Sequence, residues 1–120
     1  MMKKIYFLKS CSTCSRIIKE LNLPSDFQFQ EIKTDPLTEP QLEVLHKLAG
    51  SYEALFSKRA QLYKDRQLKD KDLSERDFKR YLLEHYTFLS RPVIVYNGQL
   101  FIGNSAKTIE AAKQAIHGIS

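Results

Sequence analysis

The sequence predicts an α/β chain made of two halves, β-α-β and then β-β-α, with a long helical insert between them. Three observations predict it. A short apolar run near the start passes directly into a helical pattern, two apolar runs near the end are joined by Asn97-Gly98, and two helix-capping signatures lie between them at Thr38 and Ser74. The 120 residues, 42% hydrophobic with only 4 Gly and 4 Pro, suit one compact domain over residues 1–120, with the insertion over roughly 38–88.

Each element follows from local chemistry. Lys4 to Leu8 has strand length and composition and ends in Lys9-Ser10-Cys11-Ser12-Thr13-Cys14-Ser15. From Arg16 the pattern turns helical, with Ile17, Ile18 and Leu21 on one face, and Pro24 stops the helix near Leu23. Phe27, Phe29 and Ile32, alternating imperfectly with Gln28, Gln30 and Glu31, read as a second strand. Thr38-Glu39-Pro40-Gln41 sets a capping hydroxyl three residues before a Gln, with Pro in the first turn where its missing N–H costs nothing. Leu42, Leu45 and Leu48 are the expected buried stripe of that helix, and Gly50 its end. A short helix carrying Tyr52, Leu55 and Phe56 is expected next, and then a segment whose Leu62 and Tyr63 are too few for a long helix. Ser74-Glu75-Arg76-Asp77 opens another helix, whose stripe is Phe78, Tyr81, Leu82 and His85. Asn97-Gly98 joins strands Val93–Tyr96 and Gln99–Ile102, because this turn needs positive φ at both residues. After Gly103-Asn104 a capping residue leads into Ile109, Ala112 and Ile116, on a helix that closes at Gly118.

Composition removes whole classes of function. Charged residues at 28% and aromatics at 11% are ordinary for a globular chain and unlike disordered or collagenous ones. The longest apolar runs, such as Pro92 to Tyr96, fall far short of the roughly 18 residues a membrane span needs, so no membrane is expected. The start is basic and then apolar, but Lys9 interrupts it too early for a secretory segment, and the cytoplasm is the expected location. The net charge is +5, yet Asp65 and Asp70 alternate with the bases between Lys58 and Lys71, which describes a solvated surface or one for an anionic partner rather than a direct nucleic-acid site.

Cys11-Ser12-Thr13-Cys14 carries the most chemistry. A C-x-x-C between a strand and a helix in a β-α-β unit reads as a thioredoxin-like redox site. Free N–H groups and the positive end of the helix favour a thiolate at Cys11, Cys14 is within bridging reach, and Lys9 and Arg16 add positive charge. Half a zinc site is the competing reading, but there is no second C-x-x-C and His46, His85 and His117 are scattered, so no metal is expected; two inert thiols remain the plain alternative. Arg91-Pro92 opens the third strand. In a thioredoxin-like layout that Pro is commonly cis and faces the C-x-x-C, which would aim Arg91 at Cys11; alone, Arg91 reads equally as an exposed loop residue. Arg59, one of 19 basic residues, alone reads as solvated.

Taken together, the sequence resembles the glutaredoxin-dependent arsenate reductase (ArsC) and Spx family of thioredoxin-fold proteins over almost its whole length. The resemblance rests on Cys11-Ser12-Thr13-Cys14-Ser15-Arg16 after a strand, Ser57-Lys58-Arg59, Arg91-Pro92-Val93-Ile94-Val95, and Gly103-Asn104. It implies a thioredoxin-like fold with a four-stranded mixed sheet, flanking helices and a helical subdomain. It also implies that Cys11 attacks, that Arg59 and Arg91 face it as oxyanion-binding groups beside Pro92, and that no cofactor is bound. The arsenate reductases of the family form a covalent adduct held by three arginines and are reduced by glutathione and glutaredoxin. The Spx branch carries a C-x-x-C switch and binds the RNA polymerase α subunit through a surface near a Gly resembling Gly50. This sequence has Cys14, as the Spx branch does, and Gly103-Asn104 where the reductases have their third arginine. The expected function is thiol-dependent reductase chemistry at Cys11 and Cys14, with glutaredoxin or thioredoxin as reducing partner; the alternative is an Spx-like redox regulator.

Overall fold

The computed structural model describes residues 2–118. It divides the chain into two compact units, one made of Met1–Asp35 with Arg91–Ser120 and the other of Pro36–Ser90.

The first unit is a four-stranded mixed sheet in the order β2-β1-β3-β4. Strand β1 (Lys3–Phe7) runs parallel to β2 (Gln28–Glu31) and antiparallel to β3 (Val93–Tyr96), which pairs antiparallel with β4 (Gln99–Ile102). Helix α1 (Ser12–Leu21) connects β1 to β2, and α5 (Ala106–His117) follows β4. Ile5 and Ile94 are register partners, and Ile17, Leu21, Ile109, Ala112 and Ile116 close over them, so α1 and α5 cover one face of the sheet. The hairpin turn is the one its sequence demands, with Asn97 at φ 49° and Gly98 at φ 87°. Helix α1 ends earlier than Pro24 suggests, because Asn22 takes a left-handed conformation at φ 48° and returns its N–H to the Lys19 carbonyl.

The alternation expected of β2 is shifted. Phe29 is 51% exposed while Gln30 is 4% exposed. Strand β2 is an edge strand, so Phe29, which meets the Phe7 ring edge-on at 6.0 Å, leaves half its surface to water. Gln30 is tolerated inside because its Nε2 donates to the Asp35 carbonyl at 2.9 Å.

The second unit is helical. Helix α2 (Glu39–Ala49) starts from the predicted capping box: Thr38 Oγ1 accepts from Gln41 N–H and Gln41 Oε1 accepts from Thr38 N–H. It ends at Gly50 with φ 89°. Leu42 and Leu45 are buried, but Leu48 is 39% exposed. Two steps of three residues turn a helix by about 600°, so Leu48 lies about 120° around from Leu42 and leaves the buried face. A 3-10 turn at Glu53–Leu55 stands where a short helix was expected, then come α3 (Gln61–Asp65), a further 3-10 turn at Leu68–Asp70, and α4 (Glu75–Glu84). Helix α4 has the expected capping box, Ser74 with Asp77, and buries Phe78, Tyr81 and Leu82. His85 departs from the expected stripe. It is extended at φ −152°, ends α4, and its Nδ1 accepts from Thr87 N–H to cap a 3-10 turn over Tyr86–Phe88. Phe56 stacks on Phe88 at 5.2 Å and meets Phe78 at 4.9 Å, forming the aromatic centre of this unit.

Thr38→Ala should remove one arm of the α2 capping box and destabilise the protein by about 1 kcal/mol, the usual worth of an N-cap hydroxyl. Denaturant unfolding reads this directly, and an unchanged midpoint would show that the cap contributes nothing. Among the described residues no helix is long and apolar enough to cross a membrane.

Candidate active site

Strand β1 delivers the chain to a tight turn at Lys9-Ser10. The Cys11 N–H donates to the Leu8 carbonyl at 3.1 Å, and Cys11 then sits at the N-cap of α1 in an extended conformation, with no side-chain capping bond of its own. Its sulfur therefore meets the first amides of the helix, where N–H groups have no carbonyl partner inside the helix. Cys14 is one turn further, on the face of α1 that carries Ile17 and Leu21, and is fully buried, whereas Cys11 is partly exposed. Both are free thiols.

The two thiols are driven apart in acidity. Burial would raise Cys11, but the N–H groups of Cys14 and Thr13, the Cys14 thiol as donor and the Arg91 guanidinium outweigh it, leaving Cys11 below the ordinary 9.0. Cys14 is pushed up to about 11, first by burial and also by the Cys11 sulfur, against the lowering effects of the Leu8 backbone and Arg91. A thiolate that a neighbouring thiol hydrogen-bonds is an attacking group beside its own proton donor.

Arg91 reaches this site through sheet register. Strand β3 starts at Val93 opposite Tyr6, so Arg91 and Pro92 continue past it at the same end of the sheet as Leu8 and Cys11. The Arg91-Pro92 peptide is cis, as the sequence predicts; Pro92 is buried and so is the Nε of Arg91. Of the other bases expected near the thiols, neither is among the groups that acidify Cys11. Arg16 pairs with Glu20 at 3.5 Å one turn along the exposed face of α1, and Lys9 uses its backbone N–H on Glu31. Cys11, Cys14, Arg91 and Pro92 thus belong to one unit, while Arg59 lies exposed in the Ser57–Ala60 turn of the other.

The free N–H groups expected at the helix start are those of Thr13 and Cys14, which act as donors to the Cys11 sulfur. A second contributor escapes a residue-by-residue reading. The Gly103 N–H donates to the Pro92 carbonyl at 2.9 Å, tying the β4–α5 turn to the segment that carries Arg91. The hairpin holds the signal for that second one: a two-residue turn at 97–98 pairs Val93 with Ile102 and brings 92 beside 103. Among the described residues no group of three or more His, Cys, Asp or Glu side chains is placed to hold a metal ion.

Residues 6–112 match the ArsC family. The chain belongs to that family. Solved structures carry the same fold at low identity. An ArsC-family-related protein from Bacteroides fragilis superposes at TM-score 0.76 with 21% identity, covering 93% of this chain and 99% of the other. An arsenate reductase from Vibrio cholerae gives TM-score 0.72 and 24% identity over 96% and 99%. An arsenate reductase (ArsC) related protein from Brucella melitensis gives 0.68 and 20% over 92% and 93%. No curated protein sequence matches. This ArsC-family chain has the thioredoxin-like fold its sequence suggests, with Cys11 and Cys14 at the β1–α1 junction.

Proposed function

We propose that this ArsC-family protein is a thiol-dependent reductase in which Cys11 attacks the oxidised substrate and Cys14 resolves the adduct. The observation that carries the reading is the division of labour between the thiols: Cys11 is accessible and acidified, Cys14 enclosed and held protonated beside it.

With a disulfide substrate the steps are as follows. The Cys11 thiolate attacks one sulfur, the S–S bond breaks, and the first half leaves as a thiolate that takes a proton from solvent. Once Cys11 is bonded, its charge no longer holds up the pKa of Cys14, while Arg91 continues to lower it. Cys14 then gives its proton to the departing second thiolate as its sulfur attacks Cys11 Sγ, leaving a Cys11–Cys14 disulfide. Two thiols have lost two electrons and the substrate has gained them. An external thiol donor, glutathione with glutaredoxin or thioredoxin, returns the pair to the reduced state. Arg91 stabilises the thiolate and receives an anionic group on the substrate, and Arg59 enters the same role on the resemblance of Ser57-Lys58-Arg59.

The test is reduction of a glutathione mixed disulfide coupled in turn to glutaredoxin and to thioredoxin. Turnover that needs Cys11 supports the reading. No turnover with either donor, together with capture of the RNA polymerase α subunit by the oxidised chain alone, would replace it with the redox-regulator reading.

Arsenate should be a poor substrate. A tetrahedral dianion needs several charge-assisted contacts, each worth roughly 1.5 to 3 kcal/mol. By the family resemblance this sequence has counterparts of two of the three reductase arginines, Arg59 and Arg91, and Gly103-Asn104 where the third stands. One missing contact lowers kcat/KM by about ten- to a hundredfold. Steady-state arsenate reduction beside a three-arginine reductase measures this, and equal turnover would refute it. Gain of activity in Asn104→Arg would identify the missing charge as the cause.

A further inference from the structure

We infer that Gly103 is a positioning residue for the thiol site: its backbone N–H ties the Pro92 carbonyl and with it the Arg91 segment, and its left-handed conformation lets the chain turn into α5 without pulling on that tie. The inference rests on the reading of Cys11 as the attacking group and extends it to a glycine on another element.

Three segments leave the sheet at one end. The Leu8–Cys11 turn leaves β1, Arg91-Pro92 enters β3, and Gly103 follows the last residue of β4, which pairs Ile102 with Val93. The Gly103 N–H bonds the Pro92 carbonyl at 2.9 Å, one step beyond the last paired residues of that ladder. Gly103 has φ +90°, a conformation that L side chains rarely adopt. An added Cβ would meet nothing within 4 Å, so glycine is not required here for space. What it supplies is backbone geometry. Gly103 stands between the end of the β4 ladder and the entry to α5, so a residue relaxing to negative φ would turn the following chain against that ladder and strain the bond to Pro92, loosening the segment that carries Arg91.

Gly50 provides an internal control. Its φ is +89°, its Cβ position is equally open, and it closes α2 in the other unit. Gly50→Ala and Gly103→Ala therefore introduce the same backbone strain at two places, and should lower the melting temperature similarly. The readout that separates position from stability is the pH profile of Cys11 alkylation by iodoacetamide, followed by peptide mass spectrometry on the full chain.

Gly103→Ala should move the Cys11 midpoint upward, toward 9.0, and slow labelling at pH 7 several-fold, while Gly50→Ala leaves the profile as in wild type. Gly103→Asn should show a smaller shift of the same sign, since Asn tolerates the left-handed region better than Ala. If Gly103→Ala does not fold, Gly103→Asn against Gly50→Asn makes the same comparison. A folded Gly103 variant with a wild-type profile overturns the inference, as does an equal shift in the Gly50 variant. Arg91→Ala separates this failure from that of the functional reading. If Arg91→Ala shifts the profile but the Gly103 variants do not, only the positioning role is lost. If Arg91→Ala leaves Cys11 unchanged, the reading of Arg91 itself is wrong.

Discussion

Cys11→Ser should abolish reductase turnover, by at least about a thousandfold, while leaving the protein folded. A serine hydroxyl at this N-cap cannot ionise near neutral pH, and the amides of Thr13 and Cys14 that acidify the thiol have no thiolate to stabilise. Serine is also a good N-cap, so the helix start is preserved or slightly strengthened and a loss of activity cannot be assigned to unfolding. The companion Cys14→Ser should behave differently. Cys11 still attacks, but the mixed disulfide with substrate accumulates, because the buried sulfur that resolves it is gone. Mild peroxide should convert wild-type protein to a species lighter by two hydrogens, the Cys11–Cys14 bridge, and should leave Cys14→Ser with Cys11 oxidised or capped by added thiol. Turnover surviving in Cys11→Ser, or a bridge-mass species in Cys14→Ser monomers, would sink the assignment of roles.

Peptide-resolved alkylation of the reduced protein should find Cys11 labelled more than tenfold faster than Cys14 at pH 7. With a pKa of about 11, Cys14 is thiolate in only about one molecule in ten thousand, while Cys11, below 9.0, is thiolate in more than about one in a hundred. The less acidic thiolate is the better nucleophile and recovers about tenfold of that difference. Burial of Cys14 widens the ratio again, since the reagent cannot reach it without local opening. The sign of the pH dependence follows. Cys11 labelling should rise through a midpoint below 9.0 and level off, and Cys14 labelling should still be rising near pH 11. Stability shows the same asymmetry. As pH climbs toward 9.0 the folded Cys11 ionises first and stabilises the fold; between 9.0 and about 11 the unfolded Cys14 ionises while the folded one does not, and stability is lost. Equal labelling rates, or faster labelling of Cys14, would reverse the roles of the thiols.

Much of the fold was legible because its signals are local. The capping boxes at Thr38 and Ser74, the Asn97-Gly98 turn and the C-x-x-C before a helical stripe each act within four or five residues of chain, and each stands where its sequence places it. The departures share one origin. Leu48 apart, whose exposure follows from helix period alone, Phe29, Gln30 and His85 are residues whose burial or helical state depends on what packs beside them. An apolar side chain carries no mark of whether its strand lies at the edge of a sheet, as Phe29 does, and a histidine none of whether it continues a helix or caps the next turn, as His85 does.

For the site the boundary is equally definite. The identity of the reacting groups, Cys11 and Cys14, and the presence of Arg91-Pro92 were readable from the chain, since chemistry needs particular side chains and spacing of three puts both thiols at one helix start. That Cys11 is the acidified thiol was also readable, from its place before the free amides of a helix start; what packing added is the burial of Cys14 with Ile17 and Leu21, and the register that carries Arg91 to the same end while Arg16 turns to Glu20. Acidity depends on burial and on charges within a few ångströms, and those distances come from pairing segments some eighty residues apart along the chain.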